Sequence, residues 1–340
     1  MTPTPDWHKP QPKHLPQPSY APALMALGLT LVLWGVVTNW IVSAIGLVVT
    51  AAAAWLWIGN VGAGIAALHA EAPRRVRTEP QVATVAQARA KTPWLHRSAL
   101  ALALVTLALV VLGSGVTSQA GSAWEVSHLL TGAAAGLLTL IVALLLRSKL
   151  GWLLLAAVLL QAALGNRSPG VAAFHAFLAH LFFAATVAVA LVTSPGWQRE
   201  PEIATDMAKP SLRTLSIVTV VLLIAQIALG SAVRHKVMGS GIHITFAMVV
   251  ALAIVVLGVL VMNQCATHRI LRPAAIAMMV IAGAQVFLGF GAFIVRMMVE
   301  ENTLPVQIAT MAHVTTGALT LAATVVLALQ IRRNLRPPSA

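Results

Sequence analysis

Among 340 residues there is one cysteine, Cys265, and one tyrosine. A single thiol excludes an internal disulfide, a cysteine-based metal centre and covalent cofactor attachment through a cysteine pair. Charge is scarce as well: Asp, Glu, Lys and Arg make up 9% of the chain, with only nine acids against 22 bases. So little charge excludes an ordinary soluble globular domain. What replaces it is apolar: 59% of residues are hydrophobic and the mean hydropathy is +0.86.

Apolar runs long enough to cross a bilayer as helix fall near 22–39, 41–62, 98–117, 126–146, 150–166, 171–193, 212–233, 242–263, 273–295 and 305–330. The fold class expected is therefore an all-α polytopic membrane bundle of about ten transmembrane helices. With both termini cytoplasmic, 18 of the 22 Lys and Arg lie inside, leaving Arg167, Arg234, Lys236 and Arg296 outside. That is the positive-inside pattern, and it assigns the net charge of +13 to the anionic leaflet it faces. No nucleic-acid partner is expected; membrane lipid is.

Polar segments divide the chain. Residues 1–21, rich in Pro and Lys, read as a disordered cytoplasmic arm, without the apolar core of a signal peptide. An N-terminal transmembrane hairpin, 22–70, is followed by a linker, 71–97. Two four-helix sets, 98–194 and 212–331, flank a second linker, 195–211, and 332–340 form a tail. An even number of spans in each set makes them parallel repeats, pseudo-symmetric about the membrane normal. Matching motifs support the repeat. Leu112-Gly113-Ser114 precedes His128 as Leu229-Gly230-Ser231 precedes His243. A Gln-x-x-Leu-Gly turn, 161–165 and 285–289, precedes His180 and His313.

Those four histidines fall in the outer half of the membrane, where polar residues are costly and usually functional. Two imidazoles facing each other across a bundle match bis-histidine haem ligation; zinc fits less well, because it needs a third or fourth ligand. His175 lies about 140° around the helix from His180, so only one of them faces the same partner. His180 is preferred because its depth matches His313, with His175 as its alternative or at the mouth of the site. His8, His14, His69, His96 and His268 read as solvated residues of arms and loops. Arg234, His235 and Lys236 at an outer helix end suit haem propionates. Glu125, three residues before His128 and on the same helix face, either caps the helix dipole or acts at a haem edge. Its counterpart in the second set is Ser240.

The repeated four-helix sets, Glu125-x-x-His128, the Gln-x-x-Leu-Gly turns, Val233-Arg234-His235 and the four histidines together resemble haem A synthase, over about residues 95–335. The resemblance implies oxidation of the C8 methyl of haem O to the formyl of haem A for cytochrome oxidase. His128 and His180 would hold the substrate haem with Glu125 catalytic, and His243 and His313 a permanent haem b. It further implies a bacterial cytoplasmic membrane location, haem O synthase and cytochrome oxidase as partners, and an electron acceptor such as a quinone; a homo-oligomer stays open. Many bacterial members carry a cysteine pair in the outer loop before Glu-x-x-His, and residues 118–124 have none. The N-terminal hairpin lies outside the family pattern and resembles a small oxidase subunit. Two other readings stay open: a dihaem b-type cytochrome moving electrons without chemistry, and a haem-binding assembly or structural subunit of an oxidase.

Overall fold

The computed structural model describes residues 40–71, 93–118, 121–165, 168–301 and 303–337, with parts of 21–32 and without the side chains of 60–71. Two compact units emerge, residues 1–80 and 81–340. The arm at 1–20, most of the expected span at 22–39 and most of the first linker lie outside the described residues.

In the first unit, helix α1 (Trp40–Glu71) packs against described helical residues within 21–32. Ser43 Oγ donates to the Val32 carbonyl at 3.0 Å, and Gly28 and Gly46 each face the other segment's backbone with no room for a Cβ. Small residues that let backbones meet are the usual way apolar helices associate where burial of apolar surface gives no drive.

The second unit is a helical bundle: α2 (Pro93–Thr117), α3 (Ser122–Leu146), α4 (Lys149–Leu164), α5 (Pro169–Val192), the single turn α6 (Pro195–Gln198), α7 (Leu212–Arg234), α8 (Ser240–Gln264), α9 (Leu271–Met298) and α10 (Leu304–Asn334). Among the described residues eight helices are long and apolar enough to span a membrane. This is an integral membrane protein. The ninth apolar helix, α4, has only 16 residues, so the span expected at 150–166 is short.

Helix boundaries follow local chemistry. Ser148, Ser168 and Ser211 cap α4, α5 and α7 by accepting the backbone N–H three residues on, and Pro169 stands in the first turn of α5, where its missing N–H costs nothing. Arg147, at φ 47°, closes α3 by donating its N–H to the Ala143 carbonyl, turning the chain directly into α4. Helices α2, α3, α4 and α5 each touch the next and close on themselves; α7, α8, α9 and α10 do the same. The two groups meet along α2–α10, α5–α10 and α5–α7. Hydroxyls buried in these seams are satisfied locally, since no water is present to do it. Thr106 bonds Thr186 across α2 and α5 at 3.0 Å, and Thr320 and Thr324 donate to carbonyls four residues back along α10.

The segment 195–211, expected as a linker, is built into the end of the bundle. Strand β1 (Ala204–Thr205) pairs in parallel with β2 (Leu335–Arg336). Asp206, 3% exposed, accepts backbone N–H groups of Ala208 and Arg213. His268, expected to be solvated, is 5% exposed; its Nδ1 accepts the N–H groups of Ile270 and Leu271 that begin α9, and its Nε2 donates to the Glu202 carbonyl at 2.8 Å. A helix start leaves N–H groups unmet, and here an imidazole meets two of them. His96 is likewise engaged, with Nδ1 3.1 Å from the Ala190 carbonyl.

Asp206→Ala removes an acceptor from two backbone donors in this clamp. The expected loss is about 1–3 kcal/mol, visible as a lower Tm in detergent and faster protease cleavage within 195–211; an unchanged Tm would mean the clamp bears no load.

Candidate functional site

Four half-buried imidazoles meet in two pairs. His128 on α3 faces His175 on α5 with ring centres 6.4 Å apart and planes at 68°. His243 on α8 faces His313 on α10, also at 6.4 Å, with planes at 84°. One pair lies within each four-helix group.

The ring that faces His128 is that of His175, the alternative to the preferred His180. His180 is 8% exposed, and its Nδ1 lies 2.7 Å from the Ala176 carbonyl of its own helix. Counting depth from span starts misled the choice between the two histidines. Helix α4 stops at Leu164 whereas α9 continues nine residues beyond Gly289 to Met298, so depth is not conserved between the groups. The segment 285–289, expected as a turn, is accordingly interior helix, while Gly165 ends α4 at φ 47°.

Glycine is what allows an imidazole to sit here. A Cβ on Gly113 would lie 3.0 Å from Cε1 and 3.4 Å from Nδ1 of His128; on Gly230 it would lie at the same two distances from His243. On Gly289 it would approach His313 to 2.7 and 3.1 Å. The Nδ1 edge of each of these three rings is thus pressed against a neighbouring helix at a point without a side chain. Four residues before each glycine is a backbone carbonyl beside the same ring: Leu109 for His128, Gln226 for His243 and Gln285 for His313. Gln161, four before Gly165, stands in that relation to His175.

Glutamines surround three of the rings. The Gln226 amide lies 3.1 Å from Nδ1 of His243 and donates to its carbonyl at 3.1 Å. Gln161 Nε2 donates to the His175 carbonyl at 3.2 Å, and Gln285 Nε2 lies 3.4 Å from Nε2 of His313. Next to His128 the same place belongs to Leu109. Nδ1 of His128, His175 and His313 is buried without a hydrogen-bond partner. Sequence reading missed Gln226, although Gln226-Ile-Ala-Leu-Gly230 is a third copy of the motif found at 161–165 and 285–289.

Glu125 lies in the first turn of α3, one turn from His128 toward the helix start, and is exposed. Helix α3 begins six residues before its histidine and α8 only three, so Ser240 occupies the equivalent position as the first residue of α8. Trp124 beside Glu125 packs on Gly115 of α2, which has no room for a side chain. Near the same end of the bundle, Arg234, His235 and Lys236 line a pocket with Thr117, Ser118 and Arg296. Burial, then Arg234, then His175 hold His235 below the usual histidine range.

Among the described residues no group of three or more His, Cys, Asp and Glu is placed to hold a metal ion. The donor sets are the two imidazole pairs. No protein-family model matches this chain, and no curated protein matches it.

The glycine seats are testable without any ligand. Gly289→Ala should cost about 1–3 kcal/mol through overpacking and lower the Tm, whereas Gly291→Ala, where a Cβ meets nothing within 4 Å, should not. Equal behaviour of the two variants would refute the seating role.

Proposed function

We propose that this protein binds two haems, each between a pair of histidines, and that it oxidises one of them, acting as a haem A synthase. The observation that carries the reading is the 6.4 Å separation of both ring pairs. A metal–imidazole bond is about 2 Å long, so two rings whose centres lie 6.4 Å apart would leave room for one metal ion between them; His128 with His175, and His243 with His313, are the residues that would hold it. With the porphyrin supplying four nitrogens, a site needs only two protein ligands, which is what each pair offers.

In this reading His128 and His175 hold haem O as substrate, and His243 and His313 hold haem b. Haem, when bound, supplies a redox-active iron and, in the first site, the methyl group to be oxidised. The chain's own residues do the rest. The helix backbones behind Gly113, Gly230 and Gly289 hold ring orientation, as partners behind a ligating histidine do. Gln226 steadies His243, while Leu109 leaves His128 without that contact. Glu125 stands at the open end of the first site, where a carboxylate takes up protons released as the methyl loses hydrogen. Conversion of a methyl to a formyl group with water as the oxygen source releases four electrons and four protons. The second site would be the route by which those electrons leave, one at a time, to an external two-electron acceptor such as a quinone, two of which are reduced per formyl group formed. Two four-helix groups with matched glycine–histidine distances support a parallel repeat with one haem per half. A bacterial cytoplasmic membrane, with both termini inside and lipid around the helices, fits the charge distribution.

The equal spacing of the two pairs favours one further reading, a dihaem cytochrome that transfers electrons and leaves both haems unchanged. Co-expression with a haem O source separates the two. Extracted pigment should contain haem A or its hydroxylated precursor from wild type, and only haem O and haem b from Glu125→Ala. Wild type that yields haem b alone would establish the cytochrome.

Ligand assignment has its own check. His175→Ala should remove one of two low-spin haem signals and His313→Ala the other, while His180→Ala keeps both. Loss of haem with His180→Ala and retention with His175→Ala would reverse the pairing.

A further inference from the structure

The pocket near the histidine pairs is assembled from both four-helix groups. Thr117 and Ser118 come from the end of α2, Arg234 and His235 from the end of α7, and Gln307 and Thr310 from α10. Its volume is about 180 Å³, room for a carboxylate and a few waters at roughly 30 Å³ each and too small for a porphyrin ring. Its charge is unbalanced. Lys236 and Arg296 share Glu301, at 3.0 and 3.5 Å, whereas no acid forms an ion pair with Arg234 among the described residues.

Arg234 is aimed across the seam between the groups. One of its terminal nitrogens, Nη2, donates to Ser118 Oγ at 2.6 Å, while its Nε is buried without a partner, as is Nε2 of His235. An unmet buried donor costs about 1–3 kcal/mol, and a charged one such as Arg234 Nε more, so this guanidinium favours an anionic acceptor, with His235 Nε2 a second unpartnered nitrogen in the same pocket. Which site the pocket serves follows from its neighbours. Arg234 reaches out of its own group to Ser118, and Thr117 and Ser118 lie at the end of the helix that seats His128.

We infer that Arg234 and His235, carried by the second four-helix group, bind a propionate of the haem held by His128 and His175 in the first group. The inference rests on the two-haem reading and gives it a specificity: the first site selects porphyrins with a free carboxylate arm. Ser118 is a positioning residue, holding the guanidinium across the seam.

The test uses the full-length protein in membranes from haem-deprived cells, titrated with protohaem and with its dimethyl ester, which keeps the iron and loses both carboxylates. His243→Ala leaves only the first pair and His128→Ala only the second. In the His243→Ala background, protohaem should bind about tenfold or more tighter than the ester, the scale of a charge-assisted hydrogen bond. Adding Arg234→Gln should weaken protohaem by that factor and leave the ester unchanged, so that ester binding also reports an intact fold. Ser118→Ala should act in the same direction with a smaller effect, and Arg234→Lys should restore part of the loss. In the His128→Ala background Arg234→Gln should change neither affinity. Equal losses for acid and ester in the first-pair background, or a loss confined to the second pair, would overturn the inference while leaving two haems in place. Failure of both ligands to bind in every background would overturn the two-haem reading itself, and the inference with it.

Discussion

An imidazole inside an apolar bundle has two ring nitrogens to place and no water to receive them. Three times here the Nδ1 edge is pressed against a neighbouring helix at a glycine, at Gly113, Gly230 and Gly289; His243 Nδ1 meets the Gln226 amide there, while Nδ1 of His128 and His313 is left without a partner. The glycine contact sets how close each histidine-bearing helix lies to its neighbour. It thereby brings α3 against α2, α8 against α7 and α10 against α9, and the rings that result face each other at one common distance. A larger residue at any of these glycines would push the imidazole it seats, most of all at Gly289.

The membrane helices were legible in the sequence because the bilayer imposes one strong rule, an apolar run of sufficient length, and that rule leaves a plain trace. The four histidines that the fold brings into pairs also stood out, as polar residues in apolar runs, with His175 legible only as the alternative to His180. Choosing between His175 and His180 by depth assumes that equivalent helices have equal lengths, and α4 and α9 differ by twelve residues, 16 against 28. Register against the glycine motif was the better guide: three Gln-x-x-Leu-Gly segments and Leu109-Val-Val-Leu-Gly113 mark the four backbone carbonyls beside the rings. His268 and Asp206 were not legible as buried for another reason. Their surroundings have the composition of a solvated loop, and the segment 195–211, largely exposed, is tied down by hydrogen bonds to residues 66 to 132 positions away, which no local pattern encodes.

Where the two groups depart from one another, the departures gather around His128. Leu109 replaces the glutamine that touches His243, α3 has an added turn carrying Trp124 and Glu125, and the neighbouring helix α4 is short. Each change alters what surrounds the first pair relative to the second. A site that only passes electrons gains from rigid ligands, whereas one that must accept a molecule and release it altered gains from slack at one ligand and an acid at its mouth.

The shortness of α4 has a consequence for the lipid. Sixteen residues rise about 24 Å, several ångströms less than a hydrocarbon layer of about 30 Å, and Leu153, Leu159 and Leu160 on this helix are exposed. Hydrophobic mismatch of this size is met by thinning of the bilayer, by snorkelling of flanking side chains or by association with another helix. A helix this short beside the first pair leaves its apolar face out of register with the longer helices around it, so that the polar and apolar layers of a bilayer have to adjust on that side of the bundle.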